Sequence, residues 1–130
     1  MGLDVSHDTF TGAYSAFHRF RIAVARATGG DIHQTDSWPM EAYFELGPGH
    51  DNESHPALFE FLGHSDCGGE IDPVTAGKLA DEMEVLLPAL DAMGDGGGHL
   101  ARAGGYGAVA RRWIAGCRRA AQAGEPLEFY

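Results

Sequence analysis

The sequence has few cysteines and no long hydrophobic run. Its two cysteines, Cys67 and Cys117, are too few for the disulfide framework of a small secreted domain, so we expect two free thiols. No apolar stretch approaches the roughly 20 residues that cross a bilayer. The first residues, MGLDVSHDTF, lack the basic and apolar regions of a signal peptide. We therefore expect a cytoplasmic protein that does not associate with membranes.

Lysine is also scarce, whereas acidic residues are abundant. Lys78 is the single lysine beside eight arginines, and the formal net charge is -10. Because lysine and arginine supply most of the affinity for phosphates, this charge argues against nonspecific binding to nucleic acid. Residues 31–95 hold 15 acids and one base, whereas the two flanks hold four acids and eight bases. The flanks and the middle segment therefore carry opposite net charge.

Length and composition predict one compact domain over residues 1–130, because 44% of the residues are hydrophobic. Apolar residues recur at helical spacing in three segments, which predict three amphipathic helices. The helices are expected at Tyr14 to Thr28, at Pro73 to Met93 with a bend or split at Pro88, and at Tyr106 to Ala123.

Short strands are expected between and around these helices. The first would end near Ser6 and His7, and the last would use the alternating tail at residues 127–129. The segment PALFEFL, residues 56–62, is dense in apolar residues and favours a buried strand over a helix. The expected fold class is α+β, with about three helices packed on a small, mainly antiparallel sheet.

Two segments are expected to be irregular. Residues 31–56 contain several prolines and turn formers, which predict a loop-rich segment. Its one apolar island, EAYFEL, could form a short strand or a helical turn. Residues 94–99, GDGGGH, predict a flexible glycine-rich loop.

The stretch HSDCGGEI, residues 64–71, is the most distinctive in the chain. It follows an apolar run and precedes a helix start, and loops in such positions commonly carry functional residues. One hypothesis makes Cys67 a nucleophile whose pKa is lowered by the helix N-terminus and by the imidazole of His64 or His7. The amides of the two glycines that follow would then stabilise an oxyanion in a hydrolase or transferase.

A second hypothesis is a zinc site in the same loop. Zinc favours nitrogen and sulfur ligands in tetrahedral geometry, and the spacing of His64 and Cys67 is compatible with such a site. The remaining ligands would come from His7, His50, His55, Asp66 and His99. A zinc-bound water would then replace the thiol as the attacking group.

A third hypothesis is a small-molecule site without covalent chemistry, formed where residues 6–8 and 64–69 converge. Its candidate contacts are Ser6, Tyr14, Ser15, Arg19, Ser65, Asp66, Gly68 and Gly69. The ordinary alternative is a tight turn, in which Ser65 and Asp66 accept hydrogen bonds from loop amides and Cys67 packs as a small apolar residue. His7 has two interpretations as well, because a carboxylate could fix its tautomer or the ring could simply be exposed.

The third predicted helix carries four arginines that repeat after seven residues. They are Arg111, Arg112, Arg118 and Arg119. The ordinary interpretation pairs this basic stripe with the acidic middle segment. The functional hypothesis is a protein-interaction module that presents a charge-segregated surface to an acidic partner.

Four stretches together resemble small uncharacterised proteins of actinobacteria and their phages. The stretches are SHDTFTGAYSAFHRFR, FLGHSDCGGEI, LADEMEVLLPAL and WIAGCRRAAQAGEPLEFY. Members of that group often have Asp-Cys-Asp-Gly where this sequence has residues 66–69, so the second acid of that motif is missing here. The resemblance implies a self-contained small domain and no particular activity.

The leading expectation is a small ligand- or metal-binding domain of this phage or actinobacterial type, with its site around the HSDCGG loop. Its likeliest contacts are His7, His64, Asp66 and Cys67. A cysteine- or zinc-dependent hydrolase or transferase is one alternative. A protein-interaction module is the other.

Overall fold

The structure, a computed structural model, describes residues 2–34, 42–47, 55–64, 68–94 and 97–130. Within these ranges the chain forms six helices and three pairs of antiparallel strands. This confirms the α+β fold class, with more and shorter helices than the three expected from the sequence.

The described chain begins with a hairpin. Strand β1 (Gly2–Val5) pairs antiparallel with β2 (Phe10–Ala13), and Val5 lies opposite Phe10. Both of these side chains are buried. One face of the hairpin therefore covers the core, and the expected strand ending near Ser6 is confirmed.

Helix α1 (Tyr14–Ala27) follows directly and matches its predicted range to within one residue. Its apolar stripe of Phe17, Phe20 and Val24 is fully buried. The helix ends at Thr28, whose hydroxyl donates a hydrogen bond to a carbonyl oxygen of the last turn. Helical spacing alone identified this element and its inward face.

Strands β3 (Asp31–Gln34) and β4 (Ala42–Glu45) form a second antiparallel hairpin. They lie in the segment that was expected to be loop-rich. Strand β4 coincides with the apolar island EAYFEL, for which a strand was one of two expectations. Strand β3 was not predicted.

Residues Pro56–Gly63 form helix α2, so the strand predicted for PALFEFL is wrong. The buried residues of this segment are Ala57, Leu58, Phe61 and Leu62. Their spacing of one, four and five residues places them on one side of a helix, whereas a strand would alternate them between two faces.

Both ends of α2 are held by side chains from distant parts of the chain. Glu82 Oε1 accepts a hydrogen bond from the amide of Leu58 at 3.0 Å. The guanidinium of Arg21 donates to the carbonyl oxygens of Leu62 at 3.1 Å and His64 at 2.6 Å. A carboxylate at the N-terminus and a cation at the C-terminus both complement the helix dipole.

The second predicted helix is split in two, as expected from its proline. Helix α3 (Pro73–Glu84) is followed by α4 (Leu87–Ala92), and Pro88 lies in the first turn of α4. A proline is tolerated there because the first amides of a helix have no partner within the helix. Helix α5 (Gly98–Arg102) then begins inside the expected glycine-rich loop and shortens that loop by two residues.

Helix α6 (Tyr106–Ala123) has the predicted bounds and the predicted inward face. Gly124 ends it with a φ of 67°, in the left-handed region that glycine adopts without steric cost. The fully buried Trp113 of α6 contacts a ring of five phenylalanines from four different parts of the fold. These are Phe10, Phe17, Phe20, Phe61 and Phe129.

The C-terminal strand joins the N-terminal hairpin to the middle of the chain. Strand β6 (Leu127–Glu128) pairs antiparallel with β5 (Glu70–Ile71), and Phe129 forms an antiparallel bridge to Val5. The amide of Ser6 also donates to the carbonyl oxygen of Glu128 at 3.0 Å. Residues 127–129 therefore lie between β1 and β5. None of the helices in the described ranges is long and apolar enough to cross a membrane.

Candidate functional site

The turn that joins β1 to β2 has an unusual backbone. In the turn Ser6–Thr9, the amide and hydroxyl of Thr9 both donate to the carbonyl oxygen of Ser6, at 3.3 Å and 2.6 Å. The two central residues are left-handed, with φ of 59° at His7 and 57° at Asp8. This conformation costs a residue with a side chain roughly 1–2 kcal/mol, and such hairpin turns favour Asn-Gly.

Helix α6 holds this turn in place. The guanidinium of Arg112 donates to the carbonyl oxygen of Asp8 at 2.9 Å and to its carboxylate at 2.8 Å. Arg119 donates to the carbonyl oxygen of His7, from Nε at 3.1 Å and also from Nη2. Between the two arginines, the buried Thr9 packs against Gly116. A Cβ at position 116 would lie 1.9 Å from the Thr9 hydroxyl, so only glycine fits there.

A pocket of about 300 Å³ opens beside the turn, and we call it the His7 pocket. Its lining residues are Ser6, His7, Glu125, Pro126 and Glu128. His7 Nε2 lies 3.5 Å from Glu125 Oε1. The side chain of His7 is 19% exposed, whereas that of Glu125 is 63% exposed. The hydroxyl oxygen of Ser6 accepts a hydrogen bond from the Glu128 amide at 2.9 Å. The pocket thus combines an imidazole, a hydroxyl and two carboxylates.

Tyr130 contacts Glu128, one of the residues that line the His7 pocket. Its hydroxyl donates a hydrogen bond to Glu128 Oε2. This hydrogen bond raises the pKa of Tyr130 above its usual value. Tyr130 therefore engages one oxygen of the Glu128 carboxylate.

His64 lies on the other side of the C-terminal strand. Its ring stacks on Phe129 with centroids 4.1 Å apart, and its Nε2 is 3.1 Å from the carbonyl oxygen of Glu70. Gly69 has a φ of 87° and passes close to the imidazole, since a Cβ there would lie 3.3 Å from His64 Cε1. The carbonyl oxygen of Gly69 accepts from the Phe129 amide at 2.9 Å. His64 and Gly69 therefore anchor the strand that also forms one wall of the His7 pocket.

The two distinctive segments of the sequence thus flank one strand. Ser6 hydrogen-bonds to this strand at Glu128, and His7 lies beside the residues that lead into it, near Glu125. His64 and Gly69 contact it at Phe129. Three of the predicted contacts, Ser65, Asp66 and Cys67, lie outside the described residues. The nucleophile hypothesis for Cys67 and the tight-turn alternative therefore stay predictions.

The remaining predicted contacts lie apart from the His7 pocket. Tyr14 is partly buried against the core, and Ser15 is exposed. Arg19 lies beside Gly98 of α5, where a Cβ would be 3.5 Å from its Nη2. Gly68 is half-buried with open space around its Cα. Among the described residues, none of these four lines the pocket.

The described part of the chain contains no set of ligands for the predicted zinc site. Within those ranges no three His, Cys, Asp or Glu side chains come together in a way that could hold a metal ion. His7 and His64 are separated by the C-terminal strand. Asp66, Cys67 and His50 lie outside the described residues, so zinc binding stays a prediction that rests on the sequence.

The arginine stripe of α6 divides into two pairs. Arg111 forms a double hydrogen bond with Asp91 of α4, at 2.7 Å and 2.8 Å, which lowers the pKa of the carboxyl and raises that of the guanidinium. Arg118 binds Glu84 at 2.5 Å and lies 3.6 Å from Asp81. Arg111 and Arg118 thus pair with the acidic middle segment, as the ordinary interpretation expected. Arg112 and Arg119 instead hold the His7 turn, which the sequence did not indicate.

Cys117 is a free, fully buried thiol in the core face of α6. Burial raises its pKa to about 12, because a thiolate would lose its hydration there. A thiol of this kind is chemically inert in the folded protein. The expectation of a free thiol is confirmed at this position, and Cys67 lies outside the described residues.

Comparisons of the chain with protein-family models, with curated proteins and with solved structures found no match. The resemblance to small actinobacterial and phage proteins accordingly stays a prediction from the sequence.

Proposed function

We propose that this chain is a small-molecule-binding domain whose site is the His7 pocket, and that its ligand carries a positively charged nitrogen. The observation that supports the proposal is the position of His7. Its backbone is held in the left-handed region by α6, and its imidazole lies 3.5 Å from the Glu125 carboxylate in the lining of the pocket. The proposal agrees with the leading expectation of a ligand-binding domain. It places the site at the turn of residues 6–9, whereas the sequence placed it around the HSDCGG loop.

The residue types in the turn support a functional role. A turn selected for stability alone would place glycine or asparagine at two positive φ angles, because those residues adopt them at little cost. This chain has His7 and Asp8 there, and it uses two arginines and a buried threonine to hold them. Costly backbone geometry that the surroundings enforce is typical of functional sites.

The lining of the pocket supports a small cationic ligand. A volume of about 300 Å³ lies at the lower end of the range for small-molecule sites. Glu125 and Glu128 present carboxylate oxygens, which form strong hydrogen bonds with ammonium or guanidinium groups. The hydroxyl of Ser6 and the ring of His7 add groups that can fix the orientation of a ligand. The net charge of -10 further favours the approach of a cation.

Isothermal titration calorimetry with agmatine tests the proposal, because agmatine carries both an ammonium and a guanidinium group on a short chain. Agmatine is expected to bind the native protein, and succinate, an anion of similar length, is expected not to bind. Glu125→Gln keeps the shape of the side chain and removes its charge. It should weaken agmatine binding by about tenfold or more, as expected for the loss of a charged hydrogen bond.

A pair of turn variants provides the matched control. His7→Gly and Asp8→Gly each replace a left-handed residue by glycine, but only His7 lines the pocket. His7→Gly should lose agmatine binding, whereas Asp8→Gly should keep it. The proposal is wrong if the native protein does not bind agmatine, or if both glycine variants bind it as the native protein does.

A further inference from the structure

Helix α3 and Val85, the residue that follows it, carry an exposed stripe on the side opposite the core. The stripe consists of Val74, Lys78, Asp81 and Val85, at spacings of four, three and four residues. At 3.6 residues per turn these four positions fall within about 60° of each other on the helix surface. Val74 is 69% exposed and Val85 is 72% exposed, and both lie at the ends of the stripe.

The stripe is complementary to itself when it is read in the opposite direction. A valine stands at each end, and a charged residue of opposite sign stands at each inner position. If a second copy of α3 lies antiparallel to the first, Val74 of each copy faces Val85 of the other. Lys78 of each copy then faces Asp81 of the other. A two-fold symmetric interface requires this kind of self-complementarity.

The inner charges are available for such pairing. Lys78 is exposed, and within the described ranges no carboxylate lies at ion-pair distance from it. Asp81 is 79% exposed and lies 3.6 Å from Arg118, whose closer partner is Glu84 at 2.5 Å. Val74, Lys78 and Asp81 of the stripe form one wall of a groove of about 580 Å³ between α3 and α6. The groove also contains the small residues Gly77 and Ala121. This groove lets a partner helix approach closely.

We propose that α3 is a homodimer interface, in which two copies of the chain pair antiparallel about a two-fold axis between Lys78 and Asp81. The proposal goes beyond the His7 pocket and does not depend on it. The stripe spans about 16 Å of helix, which limits the contact to the small interfaces typical of transient complexes. The net charge of -10 on each copy also opposes association. The dimer is therefore weak and dependent on concentration.

Charge reversal tests the pairing directly. Lys78→Asp places two acids opposite each other at both symmetric contacts, and Asp81→Lys places two bases opposite each other. Each single variant is expected to weaken the dimer about tenfold or more, because like charges repel across an interface. An equimolar mixture of the two variants restores both attractive pairs and should form a heterodimer. The double variant, with both charges exchanged, should dimerise as the native protein does.

The measurement is sedimentation velocity from about 10 µM to about 1 mM, the range in which a weak complex dissociates. Arg102→Asp and Glu60→Lys are matched controls, because they change the net charge equally at exposed positions on α5 and α2 and should leave the dimer intact. A native protein that stays monomeric over this range overturns the proposal. A dimer that the single variants do not weaken, or that their mixture does not restore, overturns it as well.

Discussion

At the scale of single residues, the fit between Thr9 and Gly116 decides whether the His7 turn can dock on α6. A Cβ at position 116 would lie 1.9 Å from Thr9 Oγ1 and 2.9 Å from Thr9 Cα. The second of these distances involves the backbone of the turn, so a rotamer change cannot relieve the clash. This contact also fixes the register between the turn and the two arginines that hold it.

Gly116→Ala is therefore expected to destabilise the protein. Overpacking costs about 1–3 kcal/mol, which exceeds the roughly 1 kcal/mol that alanine gains over glycine inside a helix. We expect a net loss in the free energy of unfolding, measured by urea denaturation followed by far-UV circular dichroism. Gly63→Ala is the matched control at the end of α2, because its Cβ would meet no atom within 4 Å. A loss for Gly63→Ala equal to that for Gly116→Ala would contradict this account.

The sequence indicated some of these residues and missed others. His7 and Ser6 were found because they stand in an unusual polar stretch. Glu125 and Glu128 were missed, since they are more than a hundred positions away from the turn in the chain. The alternation of residues 127–129 predicts that Glu128 points away from the core. No local pattern in the sequence indicates that it lies near His7.

At the scale of elements, the N-terminus of α3 is set by a local cap. The carboxylate of Asp72 accepts hydrogen bonds from the amide and hydroxyl of Thr75, both at 2.8 Å. These bonds to Thr75 lower the pKa of Asp72 below its ordinary value of 3.8. The charged form is therefore the one that stabilises the helix.

Asp72→Ala should lower the free energy of unfolding by about 1 kcal/mol at pH 7. Because the folded pKa is depressed, the contribution of Asp72 is fully present above the unfolded pKa and is lost as the pH falls through the folded pKa. The difference between the native protein and Asp72→Ala should accordingly shrink below about pH 4. Asp72→Asn keeps an acceptor at the cap and should retain most of the stability at pH 7. Denaturation curves at several pH values check this, and a difference that grows toward low pH would contradict it.

The elements that the sequence predicted correctly are those whose determinants are local. Helices α1 and α6 have long, regular apolar stripes, and the split before α4 follows from a proline. Helix α2 was mistaken for a strand because its run is short and its end contacts come from Arg21 and Glu82, far away in the chain. Strand β5 has only two residues and exists because β6 pairs with it. Such pairing leaves no periodic signal in a sequence.

At the scale of the whole molecule, the C-terminal strand connects parts of the fold that are distant in sequence. Phe129 is 3% exposed and contacts Phe17, Trp113 and His64. Its backbone bonds to Gly69 on one side and pairs with Val5 on the other. One residue thus links the N-terminal hairpin, the aromatic core and the segment after α2.

Phe129→Ala is expected to cost about 3–5 kcal/mol of stability, as large-to-small changes of buried aromatic residues do. That is a large part of the roughly 5–15 kcal/mol that stabilises a typical domain. Chemical denaturation monitored by circular dichroism gives the value. Phe59→Ala serves as the control, since Phe59 is 46% exposed and its loss should change stability by less than about 1 kcal/mol. Equal losses at the two positions would contradict the linking role of Phe129.

The central claim is that the His7 pocket binds a small cationic molecule. The most direct test is a nuclear magnetic resonance titration, in which agmatine is added to the ¹⁵N-labelled protein and each amide signal is followed. We predict saturable shifts of the amide signals of Ser6, His7, Glu125 and Glu128, which surround the pocket. Shifts confined to Gly68 and Gly69, on the other side of the C-terminal strand, would place the site in the HSDCGG loop instead. Either that pattern or the absence of any saturable shift would contradict the claim.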